Sequence, residues 1–484
     1  MSNTLLVLPA RKGGFGIVAL YFISVFFGIV AGIFPWWFVV SAVIAICFFI
    51  IAWFFPEFAV VLLLASLFGV LPESLMPKLA LGGGELKPED LGIPVLFFIL
   101  ILKDYKNFKI LISPLRHYVF PLGFFVGSAL LSALIAVLYK TSPVKDVFNE
   151  LRPYFTWLFL LVFFMAINNE KKILRFKVLL LILALILAAG VMVQSLSGVS
   201  IFGRGQEVRQ LWSTGGGVAG VMRSTTPGMF LMTGVLIYIF AAYAKEQIKR
   251  PFLLCVFGAI LSGGILVGFG RGMWLSVIIG IVMLAFFSRK AAYTKLIIVF
   301  GLVCGISFGG LLIVKPDYVS AIADRFLSVG EELERGSSFG RRKEENFYAI
   351  QKIEQSPLLG VGLGGRYKPE NSETLAWPEQ SRYIHNAYMK VAVKTGLPGL
   401  FAVLFFIAVT IWRTWDAARF RSGHKDPALA FAAFWVILTT MVFTSMTQPN
   451  FVASNGVASI ALAIFLSEAL RRDSQERRND DEQS

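Results

Sequence analysis

Cysteine and histidine are scarce in this chain, three of each in 484 residues, and charged residues make up only 15%. Cys47, Cys255 and Cys304 all fall inside apolar runs. That placement gives no disulfide or metal framework and leaves them as packing residues. There is no paired-aspartate motif, no metal-ligand spacing, no Walker loop and no dinucleotide fingerprint. Neither a divalent cation nor a nucleotide is indicated, and no cofactor is expected. Polar residues are short as well: hydrophobic types reach 56%, phenylalanine alone fills 46 positions, and mean hydropathy is +0.72. A water-soluble chain of this size needs far more polar surface.

What is present instead is a succession of apolar runs, most of them long enough to cross a hydrocarbon core of about 30 Å. Candidate spans lie at about 14–34, 36–55, 57–72, 91–103, 117–139, 153–168, 174–195, 226–244, 251–268, 272–288, 294–314, 396–412, 427–447 and 455–470. The expected fold is an all-α polytopic membrane protein of about 12–14 transmembrane helices. Runs 57–72 and 91–103 are short for a span and fit tilted or re-entrant segments. The first charges follow the first apolar stretch and no small-residue cleavage site comes next, so an anchor is expected at the N-terminus rather than a cleaved signal.

The net charge of +15 follows from loops, not from a nucleic-acid partner. No basic segment carries a reader motif. With Arg11 and Lys12 inside, every loop on that side is basic: "KDYKNFKILISPLRH", "NNEKKILRFK", "KEQIKR", "SRKAAYTK", "RTWDAARFRSGHKD" and "RRDSQERR". Opposite them are the uncharged "TQPNFVASNG" and the mixed "LPESLMPKLALGGGELKPED". The positive-inside rule then puts both termini in the cytoplasm. The expected organisation is a cytoplasmic N-terminus (1–13), a helical bundle (14–314), a large outer loop (315–395), further spans (396–470) and a cytoplasmic tail (471–484). The outer loop mixes charges, glycine turns and aromatics, which predicts short helices on the membrane surface.

His385 is the only histidine that this topology puts outside. In "YIHNAYMKVAVKTGLPG", His385 and Asn386 begin a helix that ends at Gly396, and Pro398 suits the first turn of the next span. Lys390 and Lys394 are expected in that surface helix rather than at bilayer depth. A neutral histidine at a helix start can accept a proton near neutral pH, although capping or packing is the plainer role. Arginines gather on the same face. Arg223 stands in "GVMRSTTPGMF" at a span entrance, and Arg271 in "GFGRGMWLS" is almost the whole link between two spans. Arg341 and Arg342 open the amphipathic segment "SSFGRRKEENFYAIQKIEQ", which leads into "SPLLGVGLGG". Arg204 and Arg209 are weaker candidates. Snorkelling to lipid headgroups or a solvated helix face would explain each arginine singly. Their convergence suits bidentate phosphate binding.

His385, Asn386, Gly396 and Gly399 form a His-Asn, nine-residue, Gly-x-x-Gly pattern that resembles the periplasmic motif of the O-antigen ligase family. "SPLLGVGLGG", "GRGMWLS" and "RSTTPGMF" resemble other recurrent segments of that family in the same order. The resemblance covers roughly residues 200–410. It implies a metal-independent C-type glycosyltransferase in the bacterial inner membrane, with its active site facing the periplasm. The donor would be a glycan linked to undecaprenyl diphosphate. Ligases of this superfamily transfer the glycan to a hydroxyl of lipid A–core, and polymerases transfer it to another lipid-linked repeat. His385 would be the general base beside Asn386. Arg223, Arg271 and Arg341 or Arg342 would hold the diphosphate. Tyr348, Tyr367, Trp377 and Tyr383 could stack on sugar rings, unless they only pack the loop. Leu400 and Phe401 stand where many ligases carry Thr-Trp, so ligase and polymerase both stay open. Two other classes compete: a lipid-linked oligosaccharide flippase, which would need ionisable residues deep in several spans, and a non-enzymatic partner of an assembly complex.

Overall fold

The computed structural model describes residues 36–71, 79–81, 84–202, 207–213, 216–248, 250–287, 290–327, 337–369, 381–419 and 426–483. The candidate span at 14–34, Arg204 and Trp377 lie outside these residues. The chain is an all-α polytopic membrane protein. Its helices are α1 (Trp36–Phe54), α2 (Pro56–Leu67), α3 (Pro88–Asp104), α4 (Phe108–Ile112), α5 (Arg116–Leu138), α6 (Val144–Phe155), α7 (Leu158–Ala166), α8 (Glu170–Ser197), α9 (Met229–Ala244), α10 (Pro251–Val267), α11 (Arg271–Phe286), α12 (Lys290–Val314), α13 (Pro316–Leu327), α14 (Ser337–Gln355), α15 (Ala387–Ala418), α16 (Pro427–Ile437) and α17 (Ser454–Gln483). Five helical stretches among the described residues are long and apolar enough to cross a membrane, and several shorter apolar helices pack among them.

Local chemistry sets the ends of these helices. Asn169 accepts from Lys172 N to start α8, which stops at Gly198 with φ +74°. Asp426 accepts from Leu429 N at the start of α16, where Pro427 occupies the first turn. Side-chain caps of this kind satisfy amides that no intrahelical carbonyl can reach. Packing is tightest where small residues let helices close up. A Cβ on Gly264 of α10 would meet the Ala188 backbone of α8 at 2.8 Å, and one on Gly280 of α11 would meet Trp435 of α16 at 2.8 Å. Close backbone approach is how helices associate in lipid, where burial of apolar surface gives little drive. Outward faces stay apolar instead: Ile298, Leu302 and Ile306 of α12 are exposed to the position lipid would take.

Two antiparallel hairpins interrupt the helical pattern, β1–β2 (Leu79–Leu81 with Gly84–Leu86) and β3–β4 (Glu207–Ser213 with Gly216–Thr225). The sequence reading assigned no strands there. The second hairpin orders part of a long inter-span segment. Buried Tyr318 of α13 fastens it, receiving a bond from Met222 N at 2.9 Å and donating to Ser195 O of α8 at 2.5 Å.

Buried charges are paired across helices. Arg413 near the end of α15 makes a bidentate pair with Glu468 of α17, 2.6 Å on both sides, and Tyr118 of α5 donates to the same carboxylate at 2.9 Å. Lys177 pairs with Asp426 at 2.8 Å.

Candidate functional site

The arginine cluster is built on the link between α10 and α11. Phe269 adopts a left-handed φ of +49°, which turns two successive carbonyls outward. Arg223, near the end of β4, donates Nε to Gly268 O at 3.0 Å. Arg325 of α13 donates Nε to Phe269 O at 3.1 Å. Arg271 then opens α11 directly after its cap residue Gly270. Arginines from a strand (Arg223), the start of α11 (Arg271) and α13 (Arg325) thus gather along four consecutive residues, 268–271. Arg209 stands opposite Arg223 in the hairpin register. The α11 N-terminus adds its own positive end.

The histidine is built on the start of α15. Asn386 is the N-cap, its Oδ1 accepting from Tyr388 N at 3.0 Å and Met389 N at 3.3 Å. This bonding occupies the Asn386 oxygen and fixes the backbone beside His385. Glu345 of α14 holds the imidazole. Its carboxylate oxygens lie 2.9 and 3.0 Å from His385 Nδ1, and one also accepts from His385 N at 3.1 Å. An ionised carboxylate only accepts, so in the neutral imidazole this contact puts the proton on Nδ1 and the lone pair on Nε2. The His385 side chain is 40% exposed. Tyr383 packs edge-on against it with ring centroids 4.8 Å apart, and Lys390 Nζ lies 5.8 Å from the Tyr383 ring centre.

The two constellations share one end of the bundle. Ser276 of α11 bonds Thr439 at 2.8 Å. Thr439 belongs to a π-turn, Leu438–Phe443, that continues α16. From the same segment, Met441 O accepts from Tyr388 OH at 2.5 Å and Ser445 O accepts from Ala387 N at 2.8 Å. One short stretch therefore ties the start of α11, with Arg271, to the start of α15, with His385. The buried Arg413–Glu468 pair sits at the other end of α15.

The glycine-rich segment before the histidine braces this helix. Gly360, Gly362 and Gly364 all have positive φ, as does Gly396 inside α15. Val361 N bonds Val393 O and Leu397 N bonds Pro357 O, each at 2.7 Å. The "SPLLGVGLGG" and "GLPG" motifs are thus two halves of one contact. Lys394 is not on a solvated face, as the sequence reading placed it. It is 1% exposed, pairs with Glu150 of α6 at 2.8 Å and donates to Gly365 O at 2.5 Å. A buried lysine persists because the carboxylate and carbonyl replace water. Arg382 adds a second tie to α6 through Asp146 at 2.8 Å.

The other sequence candidates scatter. Arg341 and Arg342 lie on α14, about one helical turn before Glu345. Tyr348 is half-buried against the small core that Ala349, Tyr367, Ile384 and Val393 form. Tyr367 is only 1% exposed, and its hydroxyl donates to Tyr383 O at 3.0 Å. Burial, with Glu345 and Glu344 nearby, pushes that phenol well above its ordinary pKa and keeps it a donor. Its ring is a strut under the loop and presents no face for a sugar. Tyr383 alone of the described aromatic candidates combines exposure with contact to His385. Sequence reasoning did not single out Arg325, which looked like one polar residue of an amphipathic helix. Glu345 is one of several carboxylates in the expected outer loop and carried no signal of its own. Glu150 carried no local signal at all, since its partner Lys394 is 244 positions away.

Residues 256–406 match a family model described as O-antigen ligase. A protein of Haemophilus influenzae (strain ATCC 51907 / DSM 11121 / KW20 / Rd), described as an uncharacterized protein, is 28% identical over 202 residues, 38% of this chain and 48% of the relative. The chain spans about half the length of that curated relative. The family match contains Arg271, Arg325, Glu345, His385 and both glycine motifs, and Arg223 lies before it.

Proposed function

We propose that this chain, whose residues 256–406 match a family model described as O-antigen ligase, is a metal-independent glycosyltransferase of the bacterial inner membrane with its site in the periplasm. The donor is a glycan on undecaprenyl diphosphate, and the acceptor is a sugar hydroxyl. Lipid A–core is the first acceptor to test, and a second lipid-linked repeat is the polymerase alternative.

One observation carries this reading: an imidazole held through Nδ1 by a carboxylate stands at the same end of the bundle as an arginine-lined loop. His385 Nε2 takes the acceptor proton as the oxygen attacks the anomeric carbon. The bond from that carbon to the diphosphate oxygen breaks, and the electron pair leaves with the diphosphate. Arg223 and Arg271, with Arg341 or Arg342 approaching from α14, hold the diphosphate and stabilise the charge that grows on it. The substrate supplies the driving force, so no nucleotide is required. A flippase is disfavoured because, among the described residues, charges such as Arg413 with Glu468 and Lys177 with Asp426 are spent on one another.

The test is a reconstituted assay with undecaprenyl-diphosphate glycan, with and without lipid A–core, read on a gel. Product that needs lipid A–core indicates a ligase, and a ladder from donor alone indicates a polymerase. His385→Ala is expected to abolish transfer while leaving folding and donor binding in place. Wild-type turnover in that variant would remove His385 as the base, and absence of product under every condition would return the transporter and partner readings.

A further inference from the structure

Glu345 is a carboxylate in an unusual position. It is 8% exposed, on a helix whose neighbouring residues are mostly charged and reach solvent. A buried carboxylate is costly unless its oxygens find donors. Both oxygens here are spent on one residue, through the Nδ1 and the backbone N–H of His385. The adjacent Glu344 faces another way and pairs with Lys368 at 3.4 Å. A merely structural pair could have formed through either ring nitrogen. This one uses Nδ1, and the Tyr383 ring at 4.8 Å narrows the room in which the imidazole can turn.

We propose that Glu345 is the positioning residue of a Glu–His dyad: it fixes the Nδ1–H tautomer of His385, aims Nε2 at the acceptor, and balances the imidazolium that forms when the acceptor proton arrives. The inference rests on the glycosyltransferase reading above and adds a residue to it. The atoms balance without a second transfer. The acceptor O–H bond breaks and Nε2–H forms, the new glycosidic bond replaces the bond to diphosphate, and Nδ1–H remains donated to Glu345 throughout. Glu345 takes no proton. The helix α14 that carries it also carries Arg341 and Arg342, so one element would place base support and diphosphate contacts together.

The experiment compares Glu345→Gln and Glu345→Ala with the wild-type full chain in proteoliposomes. Glutamine keeps an oxygen for Nδ1–H but removes the counter-charge, and alanine removes both. The expected order of kcat is wild type, then Gln, then Ala, with a loss of at least about tenfold at each step, inside the range of about 10²–10⁴ for general-base catalysis. KM for donor and acceptor is expected to stay within about twofold, because neither substrate touches Glu345 in its ground state. Wild-type kcat in both variants overturns the proposal, and so does a loss confined to KM.

A second readout does not need turnover. Diethyl pyrocarbonate modifies neutral imidazole, and peptide mass reports the number of adducts on His385. The wild type is expected to take one adduct, at Nε2, because the carboxylate guards Nδ1. Glu345→Ala is expected to take two. Equal stoichiometry overturns the pairing. If His385→Ala keeps full transfer, the base assignment fails and the adduct count still decides whether Glu345 holds the ring.

Discussion

Arg271 and Arg325 look equivalent as charges, yet the loop at Gly268–Gly270 uses geometry that only a guanidinium supplies. Arg223 and Arg325 each spend Nε on a backbone carbonyl, at 3.0 and 3.1 Å. That bond fixes the plane of the fork, so the terminal nitrogens are aimed before any ligand arrives. Lysine carries the same charge as a point on a flexible stem and cannot both anchor and present. Arg271 opens α11 beside these carbonyls, and Arg271→Lys, which trades a planar fork for a point charge, is expected to lower kcat/KM at least about tenfold, a loss of about 1.4 kcal/mol in transition-state binding, without altering thermal unfolding in detergent. Steady-state kinetics with the lipid-linked donor checks it. Full activity in the lysine variant would argue against bidentate recognition of a diphosphate. Arginine at Arg223 and Arg271 was legible because each interrupts or borders an apolar run, where a charge needs a reason. Arg325 was not legible, because charge on the open face of an amphipathic helix has an ordinary explanation in solvent.

At the scale of elements, the informative pairing is between the segment 356–365 and the kink in α15. A Cβ on Gly396 would lie 2.2 Å from Leu358 O, and one on Gly360 would lie 2.4 Å from Val393 O. Both residues also hold φ near +70°, at +75° and +66°, where an L side chain costs about 1–2 kcal/mol. Gly396→Ala thus meets strain and a backbone collision together, and an expected loss of about 2–4 kcal/mol follows. The loop carrying Tyr383 and His385 would shift with it, so activity should fall even though every polar group of the site remains. Gly301→Ala on α12 is the matched control, since a Cβ there meets nothing within 4 Å. Thermal unfolding of the two variants in the same detergent separates them, and an equally stable Gly396→Ala would contradict the packing described. Both glycine motifs were visible as sequence patterns, and the helix start at Asn386 and break at Gly396 could be placed from them. Their contact could not, because nothing local says that two glycine turns press on each other. The same limit hid Glu150 and Lys394, whose pairing depends on how α6 lies against α15.

For the whole molecule, hydrophobic runs fell on apolar helices, because a helix in lipid must satisfy its backbone internally and stay apolar outside. Five helical stretches among the described residues are long and apolar enough to cross a membrane, where the runs led us to expect about 12–14. The runs did not reveal the hairpin β3–β4, whose strands are joined to the bundle by Tyr318 rather than by any apolar run. The bundle has two chemically different ends. One gathers Arg223, Arg271, Arg325 and His385. The other gathers the paired charges of Arg413 with Glu468 and Lys177 with Asp426. On the proposed orientation the second end faces the cytoplasm, where the basic loops "NNEKKILRFK" and "RTWDAARFRSGHKD" would lie. On that orientation, residues on α14 and residues in the first turn of α8 must differ in accessibility. With Cys47, Cys255 and Cys304 replaced by serine, Gln355→Cys and Lys171→Cys place single thiols at exposed positions of the two ends. A membrane-impermeant maleimide applied to intact spheroplasts is expected to label Gln355→Cys, and to reach Lys171→Cys only after permeabilisation. Labelling in the opposite sense would turn the molecule over and put His385 where no periplasmic acceptor could reach it. Labelling of both thiols without permeabilisation would break the alternation of basic loops on which the orientation rests.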